Sequence, residues 1–229
     1  MTDIRFLGHA CLELTDGSAR VLLDPFLSPH NPVATVTAEE VDPTLILVTH
    51  GHADHIADAV AIAKRTGAPC GAMVEIAGWL KGQGVEQTFD PNLGGTLSFD
   101  WGWAKLVQAL HTNTLPDGTV VGTPAGWVVN IGGKTVYHLG DTALFSDLGL
   151  IASRTPVDVA LVPVGGHYTM DRHDAVVACE LIGAKTVIPI HHSTFPPIET
   201  DLGAFKADVE AATDSEVVVL APNEVFSAT

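Results

Sequence analysis

Three histidines and one aspartate lie within six residues, directly after a short apolar segment of the chain. The apolar segment is Leu45–Val48, and the polar cluster that follows is His50–His55, with the sequence HGHADH. The apolar run predicts a buried strand, and the helical spacing of apolar residues in Ile56–Ala63 predicts a helix that stops at Gly67. The fold must therefore place this cluster in a loop at the end of a strand.

A cluster of this composition is typical of a metal site. In an extended loop His50 and His52 point the same way and can bind one ion together, whereas Asp54 and His55 lie where the loop turns into the helix and can face a second. Imidazole and carboxylate ligands suit zinc, and also manganese or iron. The alternative is a polar loop whose histidines only cap and hydrogen-bond, which the strand–loop–helix setting disfavours.

Two ions require more ligands than one loop supplies. Three further metal-binding side chains, His111, Asp141 and His191, each follow a predicted strand. Those strands are Lys105–Leu110, Lys134–Leu139 and Thr186–Ile190. Strands that end in metal-binding side chains can bring them together at one edge of a sheet, so we expect all three to be ligands.

The overall composition narrows the partners. The chain has 229 residues, 46% of them hydrophobic, and a formal net charge of −16. Excess acid disfavours nucleic acid and anionic membranes as partners, because both attract basic surfaces. No apolar stretch approaches the ~18 residues of a membrane span. We expect a small-molecule substrate, no nucleic acid and no membrane contact, and the hydrophobic share leaves room for a homo-oligomeric interface.

The cysteines and the first residues predict the compartment. Cys11, Cys70 and Cys179 lie far apart without a C-x-x-C pair, which argues against a disulfide framework or a thiolate zinc site. Residues 1–6 lack the basic start and apolar run of a signal peptide. These features predict a cytoplasmic protein with buried thiols.

The order of predicted elements indicates an α/β fold. Short strands open the chain, a Gly-rich middle contains the hairpin signal Gly132-Gly133, and strands alternate with helices after Val157. Further predicted elements are strands Cys70–Val74, Val157–Pro163 and Val217–Leu220 and helices Ile76–Lys81, Asp174–Ile182 and Leu202–Ala212. This order predicts two mixed β-sheets flanked by helices, in a single domain over 1–229 because the candidate ligands span the chain.

Several motifs together resemble the metallo-β-lactamase superfamily, and in detail its branch of small metal-dependent hydrolases related to ascorbate-6-phosphate lactonase. The matching segments are 6–10 (FLGHA), 23–25 (LDP), 49–55 (THGHADH), 110–112 (LHT), 137–142 (YHLGDT), 169–170 (TM) and 188–196 (IPIHHSTFP). The resemblance covers nearly the full length and implies an αββα sandwich with the site along one edge.

The resemblance also implies roles for the ligands. The first metal would be held by His50, His52 and His111, the second by Asp54, His55 and His191, with Asp141 bridging the two ions. His192 stands next to His191 where the branch more often has tyrosine, so either imidazole can be the ligand, and we prefer His191.

Five other residues are candidates for contact with substrate or with the ligands: His9, Asp24, His138, His167 and His192. The resemblance places His9, in a Gly-His-Ala turn, beside the metals. Asp24 can orient a ligand imidazole or simply form a turn with Pro25. His138 can support the site or make a core hydrogen bond, and His167 can line the pocket with Tyr168.

These features predict metal-dependent hydrolysis in which a dinuclear centre activates water and Asp54 acts as the catalytic proton acceptor. No G-x-S-x-G or Walker pattern competes with this interpretation. The preferred substrate is a small ester or lactone. The alternatives are a phosphodiesterase acting on a small nucleotide or lipid headgroup, and a non-catalytic metal-bearing binding or sensor protein.

Overall fold

The chain forms two mixed β-sheets of seven strands each, with helices on their outer faces. The computed structural model describes residues 1–229. This arrangement is the αββα sandwich predicted from the order of elements and from the resemblance, and the prediction is confirmed. No helix combines the length and the apolar character needed to cross a membrane.

The first sheet has the strand order β14-β1-β2-β3-β4-β5-β6. Its strands are β1 Thr2–Gly8, β2 Cys11–Thr15, β3 Arg20–Leu23, β4 Leu45–Leu47, β5 Cys70–Gly71, β6 Thr88–Phe89 and β14 Val225–Ala228. The second sheet has the order β13-β12-β11-β10-β9-β8-β7. Its strands are β7 Thr96–Phe99, β8 Gly102–Gln108, β9 Ala125–Ile131, β10 Lys134–His138, β11 Val159–Pro163, β12 Thr186–Ile190 and β13 Glu216–Val217.

Six helices connect the strands and cover the sheets. They are α1 Ala53–Ile56, α2 Ala59–Thr66, α3 Val74–Gly82, α4 Asp147–Arg154, α5 Arg172–Ile182 and α6 Leu202–Ala212. Helix α3 contacts β5 and β6, whereas α5 contacts β11 and α6 contacts β13. Two short 3-10 turns, Ala38–Glu40 and Pro196–Ile198, lie in loops.

Two apolar clusters hold these layers together. A cluster of 44 buried residues draws on both sheets and includes the fully buried Trp127, whose indole Nε1 donates to the Val48 carbonyl at 3.0 Å. That bond ties β9 to the segment that leaves β4. A second cluster of 20 residues, including Tyr137 and Phe205, lies against α4–α6. Each large apolar side chain buried in this way contributes roughly 1.5–3 kcal/mol.

Strand directions bring the candidate ligands to one edge. Strands β3 and β4 are parallel, as are β10, β11 and β12. Two successive antiparallel pairings make β1 run with β3, and two others make β8 run with β10. The carboxyl ends of β1, β3, β4, β8, β10 and β12 therefore precede the loops of the candidate site, and in α/β folds such ends are where ligands bind.

Some element boundaries predicted from sequence are wrong. The predicted strand Cys70–Val74 ends at Gly71, because Val74 already opens α3, whose Ile76 and Leu80 face the core at helical spacing. The predicted strand Val217–Leu220 is paired only over Glu216–Val217. The edge strand β14 was not predicted.

The helix predicted over Ile56–Ala63 is divided in two at Asp58. The Asp58 carboxylate accepts from the Leu27 amide at 2.7 Å and from His30 at 3.0 Å, and its own amide donates to the Pro25 carbonyl. These bonds to the β3–β4 connection compete with the helical hydrogen bonds at this point. His30 is exposed but thus has a hydrogen-bond partner in Asp58.

Candidate metal centre

Eight side chains with metal-binding atoms gather at the shared edge in two groups. One group contains His50, His52, His111 and Asp141, and the other contains His9, Asp54, His55 and His191. Within each group the candidate donor atoms lie within 4.8 Å of one another. The structure thus brings together all seven ligands predicted from sequence, and places His9 beside the second group.

Asp141 lies between the two groups. Its Oδ2 is 3.5 Å from His111 Nε2 and 3.1 Å from His191 Nε2, while its Oδ1 is 3.3 Å from His55 Nε2. One carboxylate thus faces imidazoles of both groups. This is the placement expected of a carboxylate shared by two cations, as the resemblance implies for Asp141.

The first two histidines face each other through their ring nitrogens. His50 Nε2 lies 3.0 Å from His52 Nδ1. Two nitrogens bound to one tetrahedral zinc ion, at roughly 2.0–2.1 Å each, lie about 3.3 Å apart. The observed separation is close to that value, so this pair can bind a single ion with little movement.

Neighbouring groups fix which nitrogen of His50 and of His55 is free. The Thr49 hydroxyl lies 2.7 Å from Asp24 Oδ2 and 3.0 Å from His50 Nδ1. The hydroxyl has one proton, and we assign it to the carboxylate, so that His50 Nδ1–H donates to Thr49 and His50 Nε2 keeps its lone pair.

Asp24 acts in the same way on His55. His55 Nδ1 donates to Asp24 Oδ2 at 2.7 Å, which leaves the lone pair of His55 Nε2 directed at the centre. Asp24 is fully buried and also accepts from the Thr49 amide at 2.7 Å. Carboxylates that hold ligand histidines are a common feature of metal sites.

Several buried polar atoms at the centre lack any hydrogen-bond partner, and they test whether a metal fits. They include His55 Nε2, Asp141 Oδ1 and His191 Nε2. The short Asp141 distances to His55 and His191 therefore do not form hydrogen bonds of acceptable geometry. Leaving such atoms unpaired costs about 1–3 kcal/mol each. Cations among them would satisfy these atoms, so the residues present fit a metal centre.

Burial and neighbouring charges shift the titration of these groups. Burial lowers the pKa of His50 and His52, which favours neutral, ligating imidazoles. Burial also opposes the charge on His191, but Asp141 outweighs it and raises the pKa of His191 to about 9. The pKa of His55 is raised for the same reason. Both raised pKa values favour protonated imidazoles opposite Asp141 in the absence of metal, and a bound metal ion would displace those protons.

Backbone geometry at the centre requires small or strained residues. Gly51 lies against the Thr114 carbonyl, which a Cβ would meet at 2.9 Å, and its amide donates to Asn113. Gly140, with φ +66°, lies so close to the Ala125 carbonyl that a Cβ would collide with it. Both glycines directly adjoin candidate ligands.

Three candidate site residues that directly follow strands adopt left-handed backbone conformations that non-glycine residues rarely adopt. The φ angles are 60° at His9, 45° at Asp24 and 52° at His191. Strain of this kind costs of order 1–3 kcal/mol per residue and concentrates at functional sites. The fold maintains these conformations because each residue immediately follows a strand or turn fixed by the sheets.

His9 links the second group to the loop after β12. His9 Nε2 lies 3.1 Å from Asp54 Oδ2, and His9 Nδ1 lies 2.9 Å from Thr194 Oγ1. Burial lowers the pKa of His9 to about 4, so its ring is neutral at neutral pH. It therefore donates to the Asp54 carboxylate and accepts from Thr194, which holds Asp54 in one orientation.

The remaining histidines predicted near the centre behave differently. His138 donates to the Ala10 carbonyl at 3.0 Å and accepts from the Gly140 amide at 3.0 Å, so it supports the turn before Asp141 and makes no hydrogen bond to a candidate ligand. His192 points away from the centre and stacks on Phe6, with both ring nitrogens unpartnered. Of the adjacent residues His191 and His192, His191 faces the two groups of candidate ligands.

A cavity of about 620 Å³ opens over both groups. Its walls include His52, Asp54, His111, Asp141 and His191. They also include Phe26, Ala53, Thr112, Tyr168, Phe195 and Pro197. His167, predicted to line the pocket, is instead exposed and outside this wall, and only its neighbour Tyr168 reaches the cavity.

Several supporting residues were not assigned roles from sequence. Thr49 and Thr194 both lie inside motifs of the resemblance, so their positions carried a signal. Thr142, which also lies inside such a motif, accepts from the Leu110 amide at 3.0 Å. That bond joins the loop before His111 to the turn that carries Asp141.

Comparisons with known proteins decide the family. A family model described as a β-lactamase superfamily domain matches residues 3–191. A UPF0173 metal-dependent hydrolase of Thermus thermophilus is 48% identical over 205 residues, which cover 90% of each chain. The chain belongs to the metallo-β-lactamase superfamily. It is a metal-dependent hydrolase of that superfamily, as the motifs predicted.

Other members of the superfamily align over nearly the whole chain. A UPF0173 metal-dependent hydrolase of Methanopyrus kandleri is 46% identical over 227 residues, covering 97% of this chain and 98% of the relative. The structure of Igni18, a metallo hydrolase from Ignicoccus hospitalis, is 34% identical, with a TM-score of 0.89 and coverage of 99% and 98%. The metallo-β-lactamase fold therefore extends over the full length of this hydrolase.

Proposed function

We propose that this protein uses a dinuclear metal centre to hydrolyse small carboxylic esters or lactones. The observation that carries the proposal is the position of Asp141, whose carboxylate faces imidazoles of both ligand groups at the floor of an open cavity. A purely structural metal site has no need of such an opening, which argues against a non-catalytic sensor.

The ligand atoms divide naturally between two ions. His50, His52 and His111 would hold the first, and Asp54, His55 and His191 the second, with Asp141 shared. We propose zinc as the metal, because nitrogen-rich sets of imidazoles with a carboxylate suit it well. When bound, such a pair supplies Lewis acidity that polarises a carbonyl oxygen and acidifies water.

Asp54 is the residue best placed to handle a proton. Its carboxylate lines the cavity and is one-third exposed, whereas Asp141 is buried. Burial raises the pKa of Asp54, but His55, His191 and His9 outweigh burial and hold that pKa far below its usual range. Asp54 therefore stays ionised and can accept a hydrogen bond from water, which it orients towards the substrate.

In the proposed reaction the acyl C–O bond of the substrate breaks and the oxygen of water forms the new bond to the acyl carbon. The leaving oxygen takes a proton, so the products are a carboxylic acid and an alcohol. Tyr168 and Thr112 carry hydroxyls at the cavity wall and can donate hydrogen bonds to the substrate. The expected partner is a small molecule, since the charge of −16 disfavours polyanions.

A substrate panel tests this proposal. The zinc-loaded protein is assayed with a set of lactones, with methyl esters and with bis-p-nitrophenyl phosphate, and the His111→Ala variant serves as the metal-site control. We expect ester or lactone hydrolysis that the variant loses. Clear phosphodiester turnover without lactone or ester hydrolysis would contradict the proposal and support a phosphodiesterase.

A further inference from the structure

We infer that the substrate carries an uncharged aromatic or alkyl group, which packs against an apolar wall made of Phe26, Phe195 and Pro197. This inference rests on the proposed ester or lactone hydrolysis and names the substrate class. The three side chains line the same cavity as Asp54 and His191, so a group held against them lies beside the metal centre. We call this surface the apolar wall.

The aromatic rings of the apolar wall are fixed before any substrate binds. The ring centroids of Phe26 and Phe195 lie 6.5 Å apart, and the His9 ring meets both edge-on, at 5.5 and 5.9 Å. Since His9 is itself held by Asp54 and Thr194, the wall and the metal groups share one rigid support. A preorganised surface binds without a large entropic cost of ordering.

The loop that carries Phe195 is also well anchored. The Ile198 amide donates to the Phe195 carbonyl at 3.0 Å, and the Ser193 amide donates to the Ile198 carbonyl at 2.8 Å. Pro196 and Pro197 restrict the same turn further. The loop therefore presents the Phe195 ring to the cavity in a defined position.

The charges of the cavity wall also favour an uncharged substituent. No lysine or arginine contributes to the cavity wall. Arg172, two residues after the motif segment 169–170, instead pairs with Asp208 and lines a separate cavity. A phosphorylated or carboxylated substituent away from the reacting carbonyl would thus meet no cationic side chain of this cavity. An apolar substituent finds the wall ready to receive it.

Methyl esters that differ only in the acyl group test the inference. Methyl 3-phenylpropanoate, methyl acetate and the anionic monomethyl succinate are hydrolysed under pH-stat control by the zinc-loaded protein. We expect kcat/KM to be about 10-fold or more higher for the phenylpropanoate than for the acetate, because apolar contacts of this size give discrimination of that order. The succinate should be the poorest of the three.

The Phe195→Ala variant separates the wall from the chemistry. It should remove most of the preference for the phenyl group, so that the kcat/KM values of the phenylpropanoate and the acetate approach each other. Phe226→Ala is the matched control, because Phe226 is likewise half-buried but lies in the edge strand β14. Equal kcat/KM values for the three esters, or a preference for the succinate, would overturn the inference.

A binding measurement keeps the inference testable if no ester is hydrolysed. Calorimetry compares the unreactive 3-phenylpropanamide with acetamide on the wild-type protein and on both phenylalanine variants. We expect about 10-fold tighter binding of the phenyl compound, lost only in Phe195→Ala. If no ester is hydrolysed but this binding pattern is found, the proposed ester hydrolysis is refuted and the inference about the apolar wall stands. Equal binding of the two amides would refute the inference about the apolar wall.

Discussion

Replacing Asp24 with asparagine should impair the second metal site, although Asp24 is not itself a candidate ligand. The effect would act through the candidate ligand His55. Asp24 accepts from His55 Nδ1 and from the Thr49 hydroxyl, each at 2.7 Å. The asparagine side chain is nearly the same size, but its amide group can offer N–H to these donors in place of a carboxylate oxygen. His55 must then shift its proton to Nε2, the atom that faces the centre.

The expected size of the effect follows from that shift. A proton on His55 Nε2 blocks metal binding there, and loss of such an outer partner typically weakens metal affinity by about 10–100-fold, or roughly 1.4–2.7 kcal/mol. The weaker of the two zinc affinities should fall by this factor. The first group should lose affinity as well, because the Thr49 hydroxyl that fixes the tautomer of His50 also donates to Asp24.

Competition with a chromogenic chelator measures both affinities in the variant. Asp58→Asn is the matched control, since Asp58 is also a buried carboxylate bonded to a backbone amide and a histidine, yet belongs to neither group. Two unchanged zinc affinities in Asp24→Asn would refute the role assigned to this carboxylate. An equal loss in Asp58→Asn would show that the effect reflects general destabilisation.

Three further outcomes are expected. Gly140→Ala should lower the free energy of unfolding by about 1–3 kcal/mol in urea titrations, because the new Cβ would collide with the Ala125 carbonyl. Gly133 also has a positive φ but has open space around it, so Gly133→Ala should lower the free energy of unfolding by less. Zinc binding at pH 7 should release protons, which calorimetry in two buffers measures. Below pH 9 the zinc affinity should fall about 10-fold per pH unit for each proton that the metal displaces, because the pKa of His191 without metal is about 9. The free energy of unfolding should fall by up to about 3 kcal/mol as the pH is lowered from 6.5 to 4, because of His192. Burial lowers the pKa of His192 in the folded protein to about 4, so the unfolded chain binds the proton more readily in this range. His192→Phe should remove that contribution, and an identical pH profile for this variant would contradict the assignment.

Most of the candidate ligand set was accessible from sequence because four of its residues are close together in the chain. The cluster His50–His55 contains four of the seven predicted ligands, and its position after a buried strand is evident from the apolar run alone. His111, Asp141 and His191 follow strands in the same way. These candidate ligands meet because the carboxyl ends of β4, β8, β10 and β12 lie at the same edge. That arrangement depends on strand pairing over long sequence distances, and it was predicted only through the family resemblance.

The details that sequence could not give depend on three-dimensional contacts. The choice between His191 and His192 is decided by the turn after β12, where φ is 52° at His191 and the next ring turns towards Phe6. The break at Asp58 depends on its bonds to Leu27 and His30. Short edge strands such as β14 have little pattern of their own, because pairing with β1 stabilises them.

The metal-to-protein ratio tests the central claim that two ligand groups share Asp141. Elemental mass spectrometry of the purified protein, after reconstitution with zinc and removal of free metal, should give two equivalents per chain. Asp141→Asn should lower that value, since its carboxylate faces both groups. Less than one equivalent of zinc, manganese or iron after attempted reconstitution of the wild-type protein would contradict the dinuclear centre.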